Sequence, residues 1–473
     1  MPLTKKALDL EKELLEQSHL PLIHEMLDVD AMRRRFEAHF QQLYPEQGLR
    51  VTWFRRRKTF FRLNKAFRVL YKVRFRDKNN RSLVQWLYCY MYPPGLGRKY
   101  LDKAYDRLRL DPHDSLADHR RHSVSFIEAL DMVVWAFPFD PRLSQLQQLT
   151  SPRRMKQLVE QHADALGMAP GERCKRLRCH PVKYIPANRC VLRFDLDVVG
   201  PKRQQRHIRF YSKTYERIRS RDVHSVFEQV YAQSLQSNQT LLAPQPLINL
   251  EDLNTYWQLA IPGHAVDKPF TTPDWALPLP RIAQALAEFH QSDISGLQTE
   301  SSIEQTLEEA VEDGKKIGRY LPVLAQRVQA LSNQIQSLAE QLEPADKLTP
   351  IHNAFRTQQV FDCNPGIAIL DYDSAALGDP LYDVAEFVTS ILFRHIKNDV
   401  PLKGPLQAME DFGEAYQQHV DWRWDMPRLY WYVAAFCLHK YCSAIKGCHW
   451  KVVRKADDVF ALVGRFLDEA GRA

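Results

Sequence analysis

The chain lacks the features that would place it in a membrane. None of its 473 residues belongs to a run of about 20 consecutive apolar residues, the length that a membrane-spanning helix requires. Residues 1–28 form a charged amphipathic pattern and lack the apolar core of a secretory signal peptide. We therefore expect a cytoplasmic protein with no membrane partner.

The sequence also lacks a nucleic-acid-binding motif that would explain its formal net charge of +8. Basic clusters occur at residues 33–35, 55–58 and 202–206. Without such a motif, we interpret these clusters as a solvated basic face. A nucleic acid is therefore not expected as a partner.

The eight cysteines lack the spacing of a disulfide framework or a zinc site. Cys437 and Cys442 lie near two histidines, but they are five residues apart in a helical pattern and face different directions. We expect reduced thiols that are mostly buried.

The chain is long enough for two or three hydrophobic cores, since single cores stop growing near ~250 to 300 residues. Helical spacing of apolar residues dominates residues 1–48, and strand patterns dominate residues 51–92. A similar strand pattern recurs 122 residues later, where residues 189–194 match 67–72 and residues 208–215 match 86–93. This layout predicts an internal repeat, and chance similarity between two basic hairpins is the alternative.

A leucine-rich segment at residues 321–342 repeats apolar residues at 3,4 spacing over three heptads. We expect a long helix that packs along its own lobe. An exposed coiled-coil arm is the alternative.

Residues 348–388 concentrate the chemistry-bearing side chains. The turn at residues 363–366 separates two apolar runs and predicts a hairpin. One strand of the hairpin follows a loop with His352 and Gln359, and the other ends at Asp371 and Asp373. This arrangement is suited to holding a divalent cation against phosphate oxygens.

The same stretch resembles the catalytic core of the aminoglycoside phosphotransferase and choline kinase family, which shares the protein kinase fold. Residues 370–373 match the family's D-x-D segment, and residues 378–385 match its G-D-P-x-x-D-L-A segment. His352 matches the start of the family's H-G-D-x-x-x-x-N loop. Three positions of that loop differ, with Asn353, Ala354 and Gln359 in place of the glycine, the catalytic aspartate and the metal-binding asparagine.

The resemblance implies an α+β protein with a bilobal kinase-like unit, in which a small antiparallel β lobe precedes a mostly helical large lobe. We expect a β-rich N-terminal domain resembling a second small lobe at residues 1–150, the kinase-like small lobe and hinge at 151–265, and the helical lobe at 266–473. The hinge between the lobes is expected at residues 255–263.

The resemblance also implies the site residues. Lys213, in a Y-x-K-x-Y strand at residues 211–215, is expected to contact nucleotide phosphates and to pair with Glu228 on the next helix. The family's glycine-rich loop is replaced by residues 183–189, where Ala187 stands in place of a glycine. We expect a backbone that cannot take a positive φ there and therefore cradles phosphate less well, with Arg189 compensating by a direct charge contact.

The implied cofactors are ATP and Mg²⁺, with Gln359 and Asp371 as metal ligands and His352, Asp371 and Asp373 as catalytic residues. Asp371 has a structural alternative, in which its carboxylate caps the following turn. Two functions are open at this point. One is ATP-dependent phosphoryl transfer to a small-molecule hydroxyl, and the other is a pseudokinase that binds a nucleotide or metabolite and serves a regulatory protein partner.

Overall fold

The computed structural model describes residues 10–18, 20, 22–108, 123–266, 278–298 and 302–472. Helices and antiparallel sheets alternate along the chain in a mixed α+β architecture, which confirms the predicted fold class. None of the helices in these ranges is long and apolar enough to cross a membrane. All eight cysteines are free, and six of them are buried, as expected.

The first sheet is antiparallel and follows three helices. These helices are α1 (Leu10–Glu16), α2 (Ile23–Leu27) and α3 (Val29–Leu43). The strands are β1 (Arg50–Arg62), β2 (Ala66–Arg76), β3 (Ser82–Met91), β4 (Val124–Ile127) and β5 (Met132–Ala136), in the order β1-β2-β3-β5-β4. Helix α4 (Gly97–Leu108) follows β3.

The second sheet repeats this order. It follows helices α5 (Leu146–Thr150) and α6 (Pro152–Gln161). Its strands are β6 (Arg173–Ile185), β7 (Arg189–Val199), β8 (Gln205–Tyr215), β10 (Pro246–Leu250) and β11 (Thr255–Leu259), in the order β6-β7-β8-β11-β10. Helix α7 (Ser220–Gln236) follows β8, and the short strand β9 (Leu241–Leu242) pairs outside this sheet.

Equivalent strands in the two sheets are 123 residues apart, as from Arg50 to Arg173, and not 122 as the sequence pattern indicated. The spacing also relates individual hydrogen bonds. Asp131 accepts from the backbone N–H of Gly97 at 2.9 Å, and Asn254 accepts from that of Ser220 at 2.8 Å. We propose that the two sheets are copies of one small lobe, in line with the predicted domain boundary at residue 150. The corrected spacing makes Tyr90, not Met91, the counterpart of Lys213.

The remaining chain is mostly helical. Its helices are α8 (Leu279–His290), α9 (Ile303–Tyr320), α10 (Ala325–Ala339), α11 (Pro380–Asn398), α12 (Lys403–Gln417), α13 (Met426–Lys446), α14 (Trp450–Val453) and α15 (Ala456–Ala470). Helix α10 buries Val328 and Ile335, and the Ile335 carbonyl accepts a hydrogen bond from the Trp431 indole of α13 at 2.9 Å. The leucine-rich segment therefore packs against its own lobe, as expected, and does not project as a coiled-coil arm.

Short strands inside the helical part carry the predicted hairpin. They are β12 (His264–Ala265), β13 (Thr349–Ile351), β14 (Val360–Asp362), β15 (Ile367–Ile369) and β16 (Ala376–Gly378). Strands β14 and β15 pair antiparallel, and β15 also pairs in parallel with β9. Gly366 precedes β15 where a Cβ atom would lie 2.2 Å from the Gln239 carbonyl oxygen, so only glycine fits this approach.

Two hydrophobic clusters tie these parts together. One lies between the sheets and contains Trp86 of the first sheet and Phe194 of the second. The other joins the opposite face of the first sheet to the helical part. At this contact the Tyr320 hydroxyl donates to the Phe61 carbonyl at 3.0 Å and accepts from the Leu63 N–H at 3.2 Å, which fastens the β1–β2 hairpin to α9.

Candidate active site

A cavity of about 290 Å³ lies between the second sheet and the β14–β15 hairpin, and we call it the inter-lobe cleft. Apolar side chains from both sides line it, among them Val191 and Tyr211 of the sheet and Phe361 of the hairpin. Its polar lining is concentrated at one end, where Lys213 and Asp371 face each other. A mostly apolar concavity with a few convergent charged groups is the usual form of a small-molecule site.

Lys213 connects the two lobes through its ammonium group. Its Nζ donates to Asp371 Oδ1 at 2.8 Å and to Asp373 Oδ1 at 3.1 Å, and it lies 5.8 Å from the centre of the Tyr256 ring. Burial disfavours the charge, but the two carboxylates outweigh it and hold the pKa of Lys213 well above its usual value. The lysine is therefore a fixed cation at the polar end of the cleft.

Asp371 faces the cleft and not bulk solvent, as predicted from its place at the end of a strand. Its backbone is left-handed, with φ 77°, and its carboxylate makes no hydrogen bond to the following turn. The carboxylate instead accepts from Lys213 and, at 3.2 Å, from Lys183. Burial opposes ionisation, but Lys213, Lys183 and Arg189 together hold the pKa of Asp371 well below its usual value. The capping alternative is therefore wrong.

Asp373 is held more tightly than Asp371. Its side chain is 2% exposed, and it binds Arg189 Nη1 at 2.7 Å in addition to Lys213. Each oxygen of this buried carboxylate is engaged in an ion pair, Oδ1 with Lys213 and Oδ2 with Arg189. In the observed geometry, Asp373 balances the charges of Lys213 and Arg189. Its predicted catalytic role is therefore not that of a proton acceptor.

His352 stabilises the loop through contacts in the protein interior. Its side chain is buried, and its Nε2 lies 2.9 Å from the Leu370 carbonyl oxygen. The backbone N–H groups of His352 and Asn353 donate to the two oxygens of Asp383 at 2.5 and 2.9 Å. Asn353 has φ 56°, a conformation that asparagine tolerates better than most residues, which explains how it replaces a glycine. His352 is not among the residues that line the cleft.

Gln359 supplies an oxygen suited to a cation. It ends a 3-10 turn, Thr357–Gln359, and lines the cleft together with Asp371. Its Oε1 atom is buried and has no hydrogen-bond partner among the described residues. Amide and carboxylate oxygens are ligands that Mg²⁺ accepts, so the pair fits the predicted metal site. No group of three or more His, Cys, Asp or Glu in the described ranges is arranged to hold a metal ion, so water and phosphate oxygens would complete the coordination.

The predicted pairing of Glu228 with Lys213 is wrong. Glu228 lies on the exposed face of α7, where its Oε2 is 3.5 Å from Nδ1 of His224. Val223, Phe227 and Val230 occupy the buried face, and a residue next to Phe227 is turned about 100° away from that face. The acidic partners of Lys213 come from the helical part instead.

The loop before β7 differs from the expectation in its backbone. Ala187 adopts φ 58°, so the prediction that a residue other than glycine would not take a positive φ there is wrong. Asp140, a buried residue between the two sheets, stabilises this conformation. One of its oxygens accepts from the Ala187 N–H at 2.9 Å and from the Tyr184 hydroxyl at 2.6 Å.

Sequence analysis did not identify the roles of Asp140, Asp383 or Lys183. Asp383 lies in the matched G-D-P-x-x-D segment, and that match was the available signal for it. Lys183 belongs to the loop that replaces the glycine-rich segment, but its contact with Asp371 spans 188 residues of sequence. Asp140 has no local pattern around it, and its role depends entirely on the packing of the two sheets.

Comparison with known proteins finds one family model that matches part of the chain. Residues 198–432 match the model of the phosphotransferase enzyme family. No curated protein matches the sequence.

Three solved structures are similar to the chain. The choline kinase LicA from Streptococcus pneumoniae is 11% identical, with a TM-score of 0.42 over 67% of this chain and 99% of that one. A choline/ethanolamine kinase family protein from Mesorhizobium loti is 13% identical, with a TM-score of 0.40 over 66% and 94%. Spectinomycin phosphotransferase APH(9)-Ia, solved with ADP and spectinomycin, is 11% identical, with a TM-score of 0.44 over 68% and 98%. The part of the chain that matches the phosphotransferase enzyme family model, residues 198–432, includes Lys213, Asp371 and the G-D-P segment.

Proposed function

We propose that the protein is an ATP- and Mg²⁺-dependent phosphotransferase that modifies a hydroxyl group of a small molecule. The observation that carries this proposal is the polar end of the inter-lobe cleft. There, Lys213 joins Asp371 and Asp373, and the unpartnered Oε1 of Gln359 lines the same cavity. A lysine for phosphate oxygens beside oxygen ligands for a cation is the arrangement that phosphoryl transfer uses.

Each residue has a role in this proposal. Lys213, Lys183 and Arg189 offset the negative charge of the nucleotide phosphates, while Asp371 and Gln359 hold the metal ion. Bound ATP and Mg²⁺ supply the phosphoryl group and charge neutralisation. In the balanced reaction the acceptor oxygen bonds to the γ-phosphorus, the bond from that phosphorus to ADP breaks, and the hydroxyl proton passes to water.

The proton passes to water because Ala354 has no group that can accept it. The remaining acidic groups near the loop are engaged elsewhere, since Asp383 binds the loop backbone and Glu386 pairs with Arg356 and Lys440. Phosphoryl transfer has a loose transition state, and positioning and charge supply most of its rate. Turnover without the base is therefore slow but chemically complete.

Ala354 also favours a second candidate, a pseudokinase that binds nucleotide as a regulatory module. Both candidates require nucleotide in the cleft, so binding is the first test. Calorimetric titration with ATP, GTP and ADP, each with and without Mg²⁺, is expected to show binding that Mg²⁺ strengthens. Asp371→Asn and Gln359→Leu are expected to remove the effect of Mg²⁺, whereas the exposed control Glu228→Gln is not.

Turnover separates the two candidates once binding is established. Release of ADP in the presence of mixtures of candidate acceptors supports the phosphotransferase. Tight nucleotide binding with no ADP release supports the regulatory module. If no nucleotide binds under any condition, both candidates fail.

A further inference from the structure

A second cavity of about 530 Å³ lies beside the catalytic loop, and we call it the basic cavity. Its lining comes from the loop, from α11 and α13, and from residues 449–452. Among the described residues, four cationic side chains line it, and no aspartate or glutamate does. These cations are Arg356, Arg394, Lys397 and Lys440.

Nearby carboxylates neutralise only part of this charge. Glu386 pairs with both Arg356 and Lys440, with the Lys440 contact at 3.1 Å. Asp399, which follows α11, pairs with Lys455. Lys397 forms no salt bridge with an acidic residue among those described, so these acids do not neutralise its charge.

Strand β1 of the first sheet adds two more cations. Burial lowers the pKa of His449, which lines the cavity, and the charges of Lys397, Arg56 and Lys58 lower it further. The Nη1 atom of Arg56 is buried and has no hydrogen-bond acceptor in the described part of the chain. A buried guanidinium donor without an acceptor is costly unless an anion occupies the site.

The basic cavity adjoins the inter-lobe cleft. Gln358 lines both of them. Lys58 lies close enough to Lys183 and Arg189 for their charges to act on its ammonium group. Lys58 therefore lies within electrostatic range both of cations at the cleft and of His449 in the basic cavity.

We propose that the basic cavity binds the phosphoryl acceptor, and that this acceptor is a small organic phosphate carrying a free hydroxyl group. Guanidinium and ammonium groups together are well suited to phosphate oxygens, with arginine contributing two parallel hydrogen bonds. A volume of about 530 Å³ fits a molecule of sugar size. The assignment of the ligand as an acceptor rests on the proposed function, but its binding does not require nucleotide.

A cationic acceptor would bind elsewhere. On the other side of the loop, a cavity of about 470 Å³ is lined by Glu309 and Asp373. In the part of the chain that the structure describes, that cavity offers carboxylates and no lysine or arginine. The charge of the ligand therefore discriminates between the two cavities.

The test is calorimetric titration of the full chain without nucleotide, using glucose 6-phosphate, glucose and glucosamine as probes. Glucose 6-phosphate is expected to bind, with an affinity that falls as salt rises, because the interaction is between charges. Glucose and glucosamine are expected not to bind. Lys397→Gln and Arg394→Gln should each weaken glucose 6-phosphate binding by about tenfold or more, whereas Lys403→Gln on α12 should leave it unchanged.

Several results would overturn the proposal. These are absence of glucose 6-phosphate binding, equal affinity in the cavity variants and in Lys403→Gln, and binding of glucosamine instead. Competition by ADP with loss of binding in Lys213→Gln alone would place the anion in the inter-lobe cleft and also contradict the proposal. Lys397 is exposed, so Lys397→Gln tests the site even if Arg394→Gln does not fold. Separate titration with ADP reports on the nucleotide site, so failure of the proposed function is distinguishable from failure of this inference.

Discussion

At the scale of single residues, the site depends on how charges are balanced around Lys213. The lysine holds two carboxylates that come from one short segment of the helical part, while Arg189 and Lys183 approach them from the second sheet. This pairing replaces the expected lysine–glutamate pair within the small lobe. It also makes the contact between the lobes electrostatic, so nucleotide phosphates would compete with Asp371 and Asp373 for the same cations.

Replacement of Lys213 by methionine is expected to destabilise the protein by about 3 kcal/mol, because it leaves two buried carboxylates short of a partner. Because Arg189 and Lys183 still contact these carboxylates, the expected loss of stability is near the lower end of the range for breaking a buried ion pair. The low pKa of Asp371 in the wild type adds stability that is present above the unfolded pKa of about 3.9 and is lost below it, so the deficit of Lys213→Met should shrink only as the pH falls below about 4. Urea unfolding at about pH 7 and about pH 3 measures this. A deficit that is the same at both pH values would contradict the charge argument.

Restoring a carboxylate at position 354 tests whether the loop lacks only its base. Ala354→Asp is expected to raise phosphoryl transfer by roughly 10² to 10⁴, the usual contribution of general acid–base catalysis. Ala354→Asn is the matched control, because it has a similar shape and no basic oxygen. A rate that stays at background in Ala354→Asp, with nucleotide binding intact, would favour the regulatory module.

At the scale of elements, local motifs were predictable and long-range partners were not. The β14–β15 hairpin and the position of Asp371 follow from a turn signal and a strand end that are adjacent in sequence. The partner of Lys213 could not be predicted, because it depends on how the second sheet settles on the helical part. Glu228 was a reasonable candidate by spacing, but the helical phase set by Phe227 turns it to solvent.

The loop between β6 and β7 is expected to depend on Asp140. This carboxylate accepts four hydrogen bonds, from Tyr184, Ala187, Arg142 and Leu143. Asp140→Ala should cost about 2 to 4 kcal/mol, since several buried donors lose their acceptor. It should also weaken ADP binding, because Lys183 and Arg189 flank this loop.

The control for Asp140→Ala is Asp77→Ala in the β2–β3 turn of the first sheet. Asp77 is part of a solvent-exposed turn and accepts one side-chain hydrogen bond, from the Arg81 N–H at 2.8 Å. Thermal melting and hydrogen exchange of residues 183–189 compare the two variants. Equal losses of thermal stability and of hydrogen-exchange protection in both variants would show that Asp140 does not specifically stabilise the loop.

At the scale of the whole molecule, the first sheet does more than repeat the second. Its strand order is the same, but Tyr90 stands at the position of Lys213 and Ala66 at that of Arg189, so its own copy of the phosphate site is absent. The charges of Arg56 and Lys58 of β1 instead act on His449, which lines the basic cavity. The sequence pattern predicted the repeat and contained the basic cluster at residues 55–58, but it did not indicate that Arg56 and Lys58 would lie near His449. That outcome depends on the β1–β2 hairpin being fastened to Tyr320, a contact across more than 250 residues of sequence.

Titration of Lys58 is expected to make the stability of the folded protein depend on pH. The side chain keeps solvent exposure, but partial burial of its ammonium group, together with Lys183 of β6 and Arg189 of β7, lowers its pKa to about 8. His449 also faces it from the start of α14. Because the unfolded chain keeps the proton to a pH near 10.4, the folded protein releases it first, and stability should rise between about pH 8 and pH 10.

Anion binding should change in the opposite direction. A phosphate probe favours the protonated ammonium, so the affinity for glucose 6-phosphate is expected to be constant from pH 7 to about 8 and to fall above it. Lys58→Arg should keep the affinity and remove its fall, since a guanidinium stays charged throughout this range. Lys58→Gln should bind more weakly at pH 7 and also show no fall. Calorimetric titration across pH 7 to 10 measures all three proteins, and an equal fall in the wild type and in Lys58→Arg would show that β1 does not contribute this charge to the basic cavity.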